Sequence, residues 1–521
     1  MRLNRAPPEG FSGSAAASLP PGGSLQKPGG ISGLFAAKRR VVVLYEQYIH
    51  LQSLQQVWAS PVSEKPELEP CFAAAFHGIE LCFLLLAEFL CDQRTYVAKR
   101  PRVELVAKDI QTQCILLTEI VDCELEEDEV APRTSLTQDF PFDACPPTTD
   151  APSTSPGLAR LIDAVLDVLP RISNGERNSL VKVVLNISNT FEMAFGRWTV
   201  GLGIEHQLNE LRVAVGLSRL PTFDARTHHL DYSLLVCPEV AVSTLTGEQY
   251  THKEDFFFRT IHLGIECWAF IAIHRLNMAK QLTREGQWHV AAARMAQAAR
   301  ILHYLGEHVL MLTSMNLRDY LLLKVELQGT SGEGSKQVRM FRGLVKSLLT
   351  PLAAALVPAE PGEGVEEEAL QAALLQVYES PDARAGLYNY AKGLEEIESA
   401  LLGGFYYSHF ILATTVLGTA AKGTMDRAVA SLKATYETPV FPTLDAVRSL
   451  LGAKMDQELN HVKGRLLNQM EAKHAQAPDG LLLPGSPVTV LRSALLRQRS
   501  MLSTTSSAAS NVSESVTSFT G

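Results

Sequence analysis

FRTIHLGIECWAF, residues 258–270, decides how the chain is read. Apolar residues recur at three- and four-residue spacing, so the segment is a helix, and it is apolar on nearly every side. Its polar members stand where a plain core helix carries aliphatics. Phe258, His262 and Glu266 fall four residues apart and share one face, with Trp268 on the flank. A histidine in this setting is either a hydrogen-bonded core residue or a functional imidazole.

The same periodicity runs through most of the chain, alternating β-branched runs are scarce, and Pro/Gly clusters punctuate long helical patterns. These features predict an all-α fold: a helical bundle domain over 226–474 and an additional helical region over 36–225. Helices are expected at about 37–58, 71–92, 101–122, 158–170, 176–217, 254–283, 287–326, 336–350, 369–377, 384–400, 404–419 and 424–436. The polar turn TREG joins the two longest into an antiparallel hairpin. Residues 1–35 and 475–521 read as a disordered leader and a Ser/Thr-rich tail, and an exposed loop is expected near 124–157. No convincing internal repeat is visible. Residues 45–80, with Tyr45, Tyr48 and His77, only faintly resemble 232–268.

Composition narrows the function. The 521 residues are 46% hydrophobic with a net charge of −9, and the longest basic stretches are AKRR and AKRPR, so nucleic-acid binding is not expected. CFAAAFHGIELCFLLLAEFLC, residues 71–91, is long enough for a membrane span, but it contains His77, Glu80 and Glu88 and reads as a buried helix. Eight cysteines without a CxxC pair read as reduced, buried thiols of a cytoplasmic protein.

Two further stretches carry chemistry. NLRDYLLLKVELQGTSGEGSKQVR, residues 316–339, puts Tyr320 and Lys324 one turn apart before a Gly/Ser turn, with Lys324 among leucines and in want of an anionic partner. GGFYYSHFILATTVLGTAAKGT, residues 403–424, is nearly chargeless and holds a single histidine, His409. A lone neutral imidazole in such a helix suits haem ligation or plain core packing.

Together the three stretches resemble the haem-dependent tryptophan 2,3-dioxygenase superfamily, which includes indoleamine dioxygenases and the ring-rearranging enzymes of pyrrolnitrin synthesis. Phe258, His262, Glu266 and Trp268 match its F-x-x-x-H-x-x-x-E-x-W frame, Asp319, Tyr320, Leu323 and Lys324 its next pocket helix, and SGEGSKQVR its S-G-F-Q-S-x-x-F-R stretch. FYYSHFILATTVLGTAAKGT is similar to its ligand helix and following G-T loop. The resemblance covers about 229–455, and residues before 225 have no counterpart in it.

The resemblance implies haem b held by His409 through its iron, with Trp268 against the cofactor. It also implies a distal His262 that acts in catalysis, and an indole pocket of Phe258, Tyr320, Lys324, Ser331, Gly332 and Thr424. Small-molecule partners would be O2 and an indole such as L-tryptophan, oxidised across C2–C3; no nucleic acid or membrane partner is implied, and family members often form homo-oligomers. Departures are Lys324 in place of the arginine that clamps the substrate carboxylate, Glu333 and Gly334 in place of Phe-Gln, and no arginine before His409. These leave two other readings open: a rearranging or mono-oxygenating haem enzyme, and a non-enzymatic helical scaffold.

Overall fold

Residues 71–91 are apolar all round, and a helix of that kind is stable in water only when other helices cover every face. The computed structural model places it at the centre of a helical assembly. It describes residues 45–59, 69–130, 155–196, 205–214, 216–219, 232, 236–246, 250, 252–327, 332–358, 366–422 and 428–475.

In chain order the helices are α1 (Leu51–Trp58), α2 (Glu69–Cys91), α3 (Lys99–Val130), α4 (Pro156–Val168), α5 (Asn174–Gly196), α6 (Glu205–Ala214), α7 (Pro238–Thr246), α8 (Asp255–Arg284) and α9 (Trp288–Leu310). They continue with α10 (Leu317–Leu327), α11 (Lys336–Ser347), α12 (Leu349–Leu356), α13 (Glu367–Glu379), α14 (Ala385–Ser399), α15 (Tyr407–Leu417), α16 (Lys433–Glu437) and α17 (Pro442–Ala475). No strand occurs among the described residues, and the fold is all-α as expected.

Residues up to Val447 form one compact unit, and the chain from Arg448 forms a second, whose described residues continue α17. In the first unit α2 packs along α8, α3 covers α2, and α9 forms an antiparallel hairpin with α8. Gly286, at φ +74, makes the turn, as TREG predicts.

One hydrophobic cluster runs through α2, α8 and α9 and joins the regions drawn on either side of residue 225. A charged junction reinforces it. The fully buried Glu254, just before α8, accepts from Arg94 at 2.8 Å, from Arg102 at 3.0 Å and from the Asn316 amide at 3.1 Å. Two guanidinium groups make burial of that carboxylate tolerable, and they tie the α2–α3 loop to the starts of α8 and α10.

Several expected boundaries shift. Helix α3 continues to Val130, so Glu124–Val130 is helix rather than loop; the rest of the expected loop, to residue 154, lies outside the described residues, as do 1–44 and 476–521. Within the run 176–217, α5 ends at Gly196 and α6 begins at Glu205, with 197–204 outside the described residues, and 287–326 is broken by a 3-10 turn at Met311–Ser314. Apolar spacing persists through such a turn, which is why periodicity alone missed it. Cys91 is exposed and Cys237 half-buried, while Cys71, Cys82, Cys114 and Cys267 are buried, and none of these six is in a disulfide.

Among the described residues, three helical stretches are long and apolar enough to cross a membrane. Those of α2 and α8 are 83% buried within the protein, whereas Asp382–Leu417 is only 28% buried.

Trp268 is fully buried and donates its indole N–H to Gln113 of α3 at 2.9 Å. Trp268→Phe leaves that amide oxygen unsatisfied and is expected to cost about 1–3 kcal/mol, read by denaturant unfolding.

Candidate functional site

His262 lies at the centre of an aromatic group assembled from three parts of the chain. Its ring is 4.0 Å from Phe258, one turn back on α8, and 6.0 Å edge-on from Tyr45. Phe258 in turn stands 6.2 Å from Tyr320 of α10 and 6.2 Å from Tyr48. The Tyr48 hydroxyl donates to Asp255, which also holds Arg259 at 3.0 Å, and that guanidinium lies over the Tyr48 ring.

The histidine's protonation follows from its contacts. A carbonyl only accepts, so the 2.8 Å contact to Phe258 O means that Nδ1 carries the proton and Nε2 presents its lone pair. Burial pushes the pKa down to about 4, with His409 and His308 nearby adding to the depression. At neutral pH the imidazole is therefore uncharged and accepts at Nε2. A Cβ at Gly332 would lie 3.2 Å from Nε2, so the glycine backbone approaches this nitrogen closely.

One turn further along α8, the buried Glu266 accepts from Gln337 Nε2 at 2.6 Å. The Tyr45 phenol lies beside this carboxylate, but neither Tyr45 Oη nor Glu266 Oε1 makes a hydrogen bond in the structure. Burial lifts the Glu266 pKa to about 7, only partly opposed by Ser335, Gln337 and Tyr45.

His409 is half-buried on α15, close enough to His262 for the two imidazoles to feel each other's charge. The chain reaches it through a π-helix, Ala400–Tyr406, a rare geometry that recurs at functional sites. Packing explains how this segment is held. A Cβ at Gly306 of α9 would sit 2.5 Å from the Gly404 carbonyl, and one at Gly404 would sit 2.8 Å from His303 Nδ1, so α9 and the π segment meet backbone to backbone. Much of α15, including His409, Phe410, Ile411, Ala413 and Thr414, is only half-buried although the helix carries no charge.

The remaining expected residues fall differently. Ser331 and Thr424 lie outside the described residues. Trp268 is engaged in the core, with Gln113 and with the Tyr304 ring 5.4 Å away, which gives it a structural task. Lys324 is half-buried and donates to the Lys422 carbonyl at 2.5 Å, while its neighbours Leu321 and Leu322 are exposed, so it is not enclosed by apolar side chains. Helical geometry turns those two leucines outward. Tyr45 and Tyr48 were not expected at this site; their one signal was the faint likeness of 45–80 to 232–268.

A second polar group, Cys82, Asp109 and His308, brings possible metal-ligand atoms within 4.8 Å of one another. Asp109 accepts from Gln113 at 2.8 Å, from His308 at 2.9 Å, from Cys82 at 3.3 Å and from Tyr304 at 3.4 Å, which accounts for the cluster as a buried hydrogen-bond network. A cavity of about 670 Å³ beside Arg94, Arg160 and His252 shares no lining residue with the His262 group.

Comparison with known proteins places two likenesses on the chain. Residues 13–173 match the family described as Hs1pro-1 N-terminus, which covers part of the region that the dioxygenase resemblance leaves unplaced. The chain is 24% identical over 430 residues to the nematode resistance protein-like HSPRO1 of Arabidopsis thaliana, covering 78% of this chain and 89% of that protein. It is 25% identical over 240 residues to tryptophan 2,3-dioxygenase of Pseudomonas fluorescens, covering 38% of this chain and 84% of that enzyme.

Linkage gives a test of the Glu266 environment. A carboxyl whose folded pKa is raised to about 7 contributes stability that is fully present below its unfolded value, near 4.5, and lost as pH rises through 7. Glu266→Gln removes this loss. Its stability relative to the parent is expected to improve from pH 4.5 to 7, by at most about 3 kcal/mol, measured by urea unfolding across that range.

Proposed function

We propose that this chain is a haem-dependent oxygenase acting on an indole, with the site between α8 and α15. The observation that carries the reading is the uncharged, half-covered face of α15 that bears His409, with His262 within electrostatic reach of it. An uncharged face of this kind in a folded protein calls for a further apolar group. Haem bound beside α15 would be held by His409 through its iron, which fits both the uncovered apolar surface and the donor type. The partial likeness to a tryptophan 2,3-dioxygenase supports the same assignment.

When bound, haem iron supplies the O2 chemistry that amino-acid side chains lack. The chain's own residues bind and orient. Phe258 and Tyr320 offer apolar ring faces to an indole. His262 Nε2, with its lone pair outward and its proton fixed on Nδ1 by the Phe258 carbonyl, accepts the indole N–H. Because His262 stays neutral far below pH 7, this acceptor survives across the physiological range. Tyr45 stands edge-on to His262 and Tyr48 beside Phe258, adding two rings to the group. Lys324 stands one turn beyond Tyr320 on α10 and carries a point charge rather than a bidentate clamp, which suits an indole whose carboxylate is loosely held or absent.

The longer match to a nematode resistance protein-like chain favours a second reading, a non-enzymatic helical protein in which both histidines are core residues. Absorption spectroscopy separates the two. The purified chain is expected to carry one haem per molecule with a Soret band. His409→Ala is expected to lose it while remaining folded by circular dichroism, and His262→Ala to keep it with a perturbed ferrous–CO spectrum. A haem-free parent that cannot be reconstituted would establish the scaffold reading.

A further inference from the structure

Two stretches of the fold repeat each other in detail. Tyr45 and Tyr232 are both fully buried, and each stands five residues before a non-glycine residue in the left-handed region: His50 at φ 55 and Cys237 at φ 48, the pair of this kind among the described residues. Each of these residues leads directly into a short helix, α1 or α7. A non-glycine residue seldom adopts such a φ, so its recurrence at one register is a strong marker.

The long helices that follow carry the same frame. Phe72, Phe76, Gly78, Ile79 and Glu80 on α2 correspond to Phe258, His262, Gly264, Ile265 and Glu266 on α8. Phe72 stands 6.5 Å from Phe76, and at the matching positions Phe258 stands 4.0 Å from His262. Each glycine admits a side chain from the next long helix: a Cβ at Gly78 would be 2.8 Å from Gln113, and one at Gly264 would be 2.5 Å from His308.

The glutamates then meet matching partners. Ser155 caps α4 through the Leu158 amide, and Ser335 caps α11 through the Val338 amide. Two residues beyond each serine the chain donates to the buried carboxylate, Gly157 N to Glu80 at 2.7 Å and Gln337 Nε2 to Glu266 at 2.6 Å. The tyrosines cross over. Tyr232 donates to Glu80 at 2.5 Å and stands edge-on to Phe76 at 5.8 Å, while Tyr45 faces Glu266 and stands edge-on to His262 at 6.0 Å. Helices α2 and α8 pack directly on one another between these two sites.

We infer that residues 45–168 and 232–347 are two copies of one helical unit, related by a pseudo-twofold axis between α2 and α8, that exchange their leading tyrosines. Tyr45 is on this account a positioning residue of the His262 pocket, supplied by a first copy that carries Phe76 where the second carries the histidine. The first copy's own chamber is closed by rings: Phe191 of α5 packs on Phe76 at 6.1 Å and on Phe83 at 5.1 Å. One copy therefore holds the imidazole and the other completes its walls. The pocket is the one assigned above, but neither test of the exchange requires haem or an indole.

The first test uses the full-length chain and thermal melts. Tyr232→Phe, which loses the hydroxyl that donates to Glu80, is expected to lower the Tm by a few degrees, and Tyr45→Phe, whose hydroxyl only lies beside Glu266, to shift it by less. Combining Tyr45→Phe with Glu266→Gln, or Tyr232→Phe with Glu80→Gln, is expected to lower it by less than the sum of the single effects. The same-copy pairs, Tyr45→Phe with Glu80→Gln and Tyr232→Phe with Glu266→Gln, are expected to be additive. Additivity in all four pairs, or coupling within one copy instead of across the axis, overturns the exchange.

The second test reads the pocket itself. Diethyl pyrocarbonate modification of His262, followed by peptide mass spectrometry, is expected to accelerate on the order of tenfold in Tyr45→Leu through local opening, and to stay at the parent rate in Tyr232→Leu. Equal acceleration in both, or none in Tyr45→Leu, overturns the positioning role. The crossed-pair melts decide the exchange whether or not the leucine variants fold.

Discussion

Two carboxylates buried in the most apolar part of the chain are the constraint around which the first unit is arranged. Glu80 and Glu266 lie fully buried on neighbouring helices, and burial raises the pKa of each to about 7. A group in that position is tolerable only where donors converge on it. The chain brings them from far away in sequence: a capping serine and a donor two residues beyond it at the start of α4 or α11, and a tyrosine that reaches across the α2–α8 pair. Satisfying the carboxylates therefore sets where α4, α11 and both tyrosine-bearing segments must run.

The candidate site inherits its geometry from this arrangement. His262 lies one turn from Glu266, so whatever fixes the carboxylate also fixes the imidazole, and Tyr45, which meets the imidazole edge-on, lies beside the carboxylate as well. The opposite wall is built by a different device. Gly306 and Gly404 allow α9 and the π segment to touch backbone to backbone, which delivers His409 to the end of an uncharged helix whose outer face stays half-covered. One wall is rigid and hydrogen-bonded, and the other offers apolar surface.

The likeness to HSPRO1 extends over most of the chain, while the likeness to the dioxygenase covers a smaller share of it. A chain whose first copy carries phenylalanine in place of the histidine can keep the same packing while using it only for support. Phe76 shows how small that change is: ring for ring, the edge-on contact with the crossing tyrosine is preserved.

While the grouping of Phe258, His262 and Tyr320 was expected only from the family resemblance, what the sequence determined by itself was the local content, helices from their three- and four-residue apolar spacing and the α8–α9 hairpin from a polar turn. These are properties of residues within a few turns of one another, where periodicity and turn chemistry act. It misjudged the enclosure of Lys324 by leucines and left Tyr45 and Tyr48 unassigned, because a side chain's surroundings depend on segments distant in sequence. Only the tertiary structure decided that Tyr45 crosses to Glu266 while Tyr232 crosses to Glu80, which turned a faint likeness between two stretches into a shared architecture. The physical reason is that a buried carboxylate demands donors but does not specify which part of the chain provides them, and packing of α2 against α8 makes that choice.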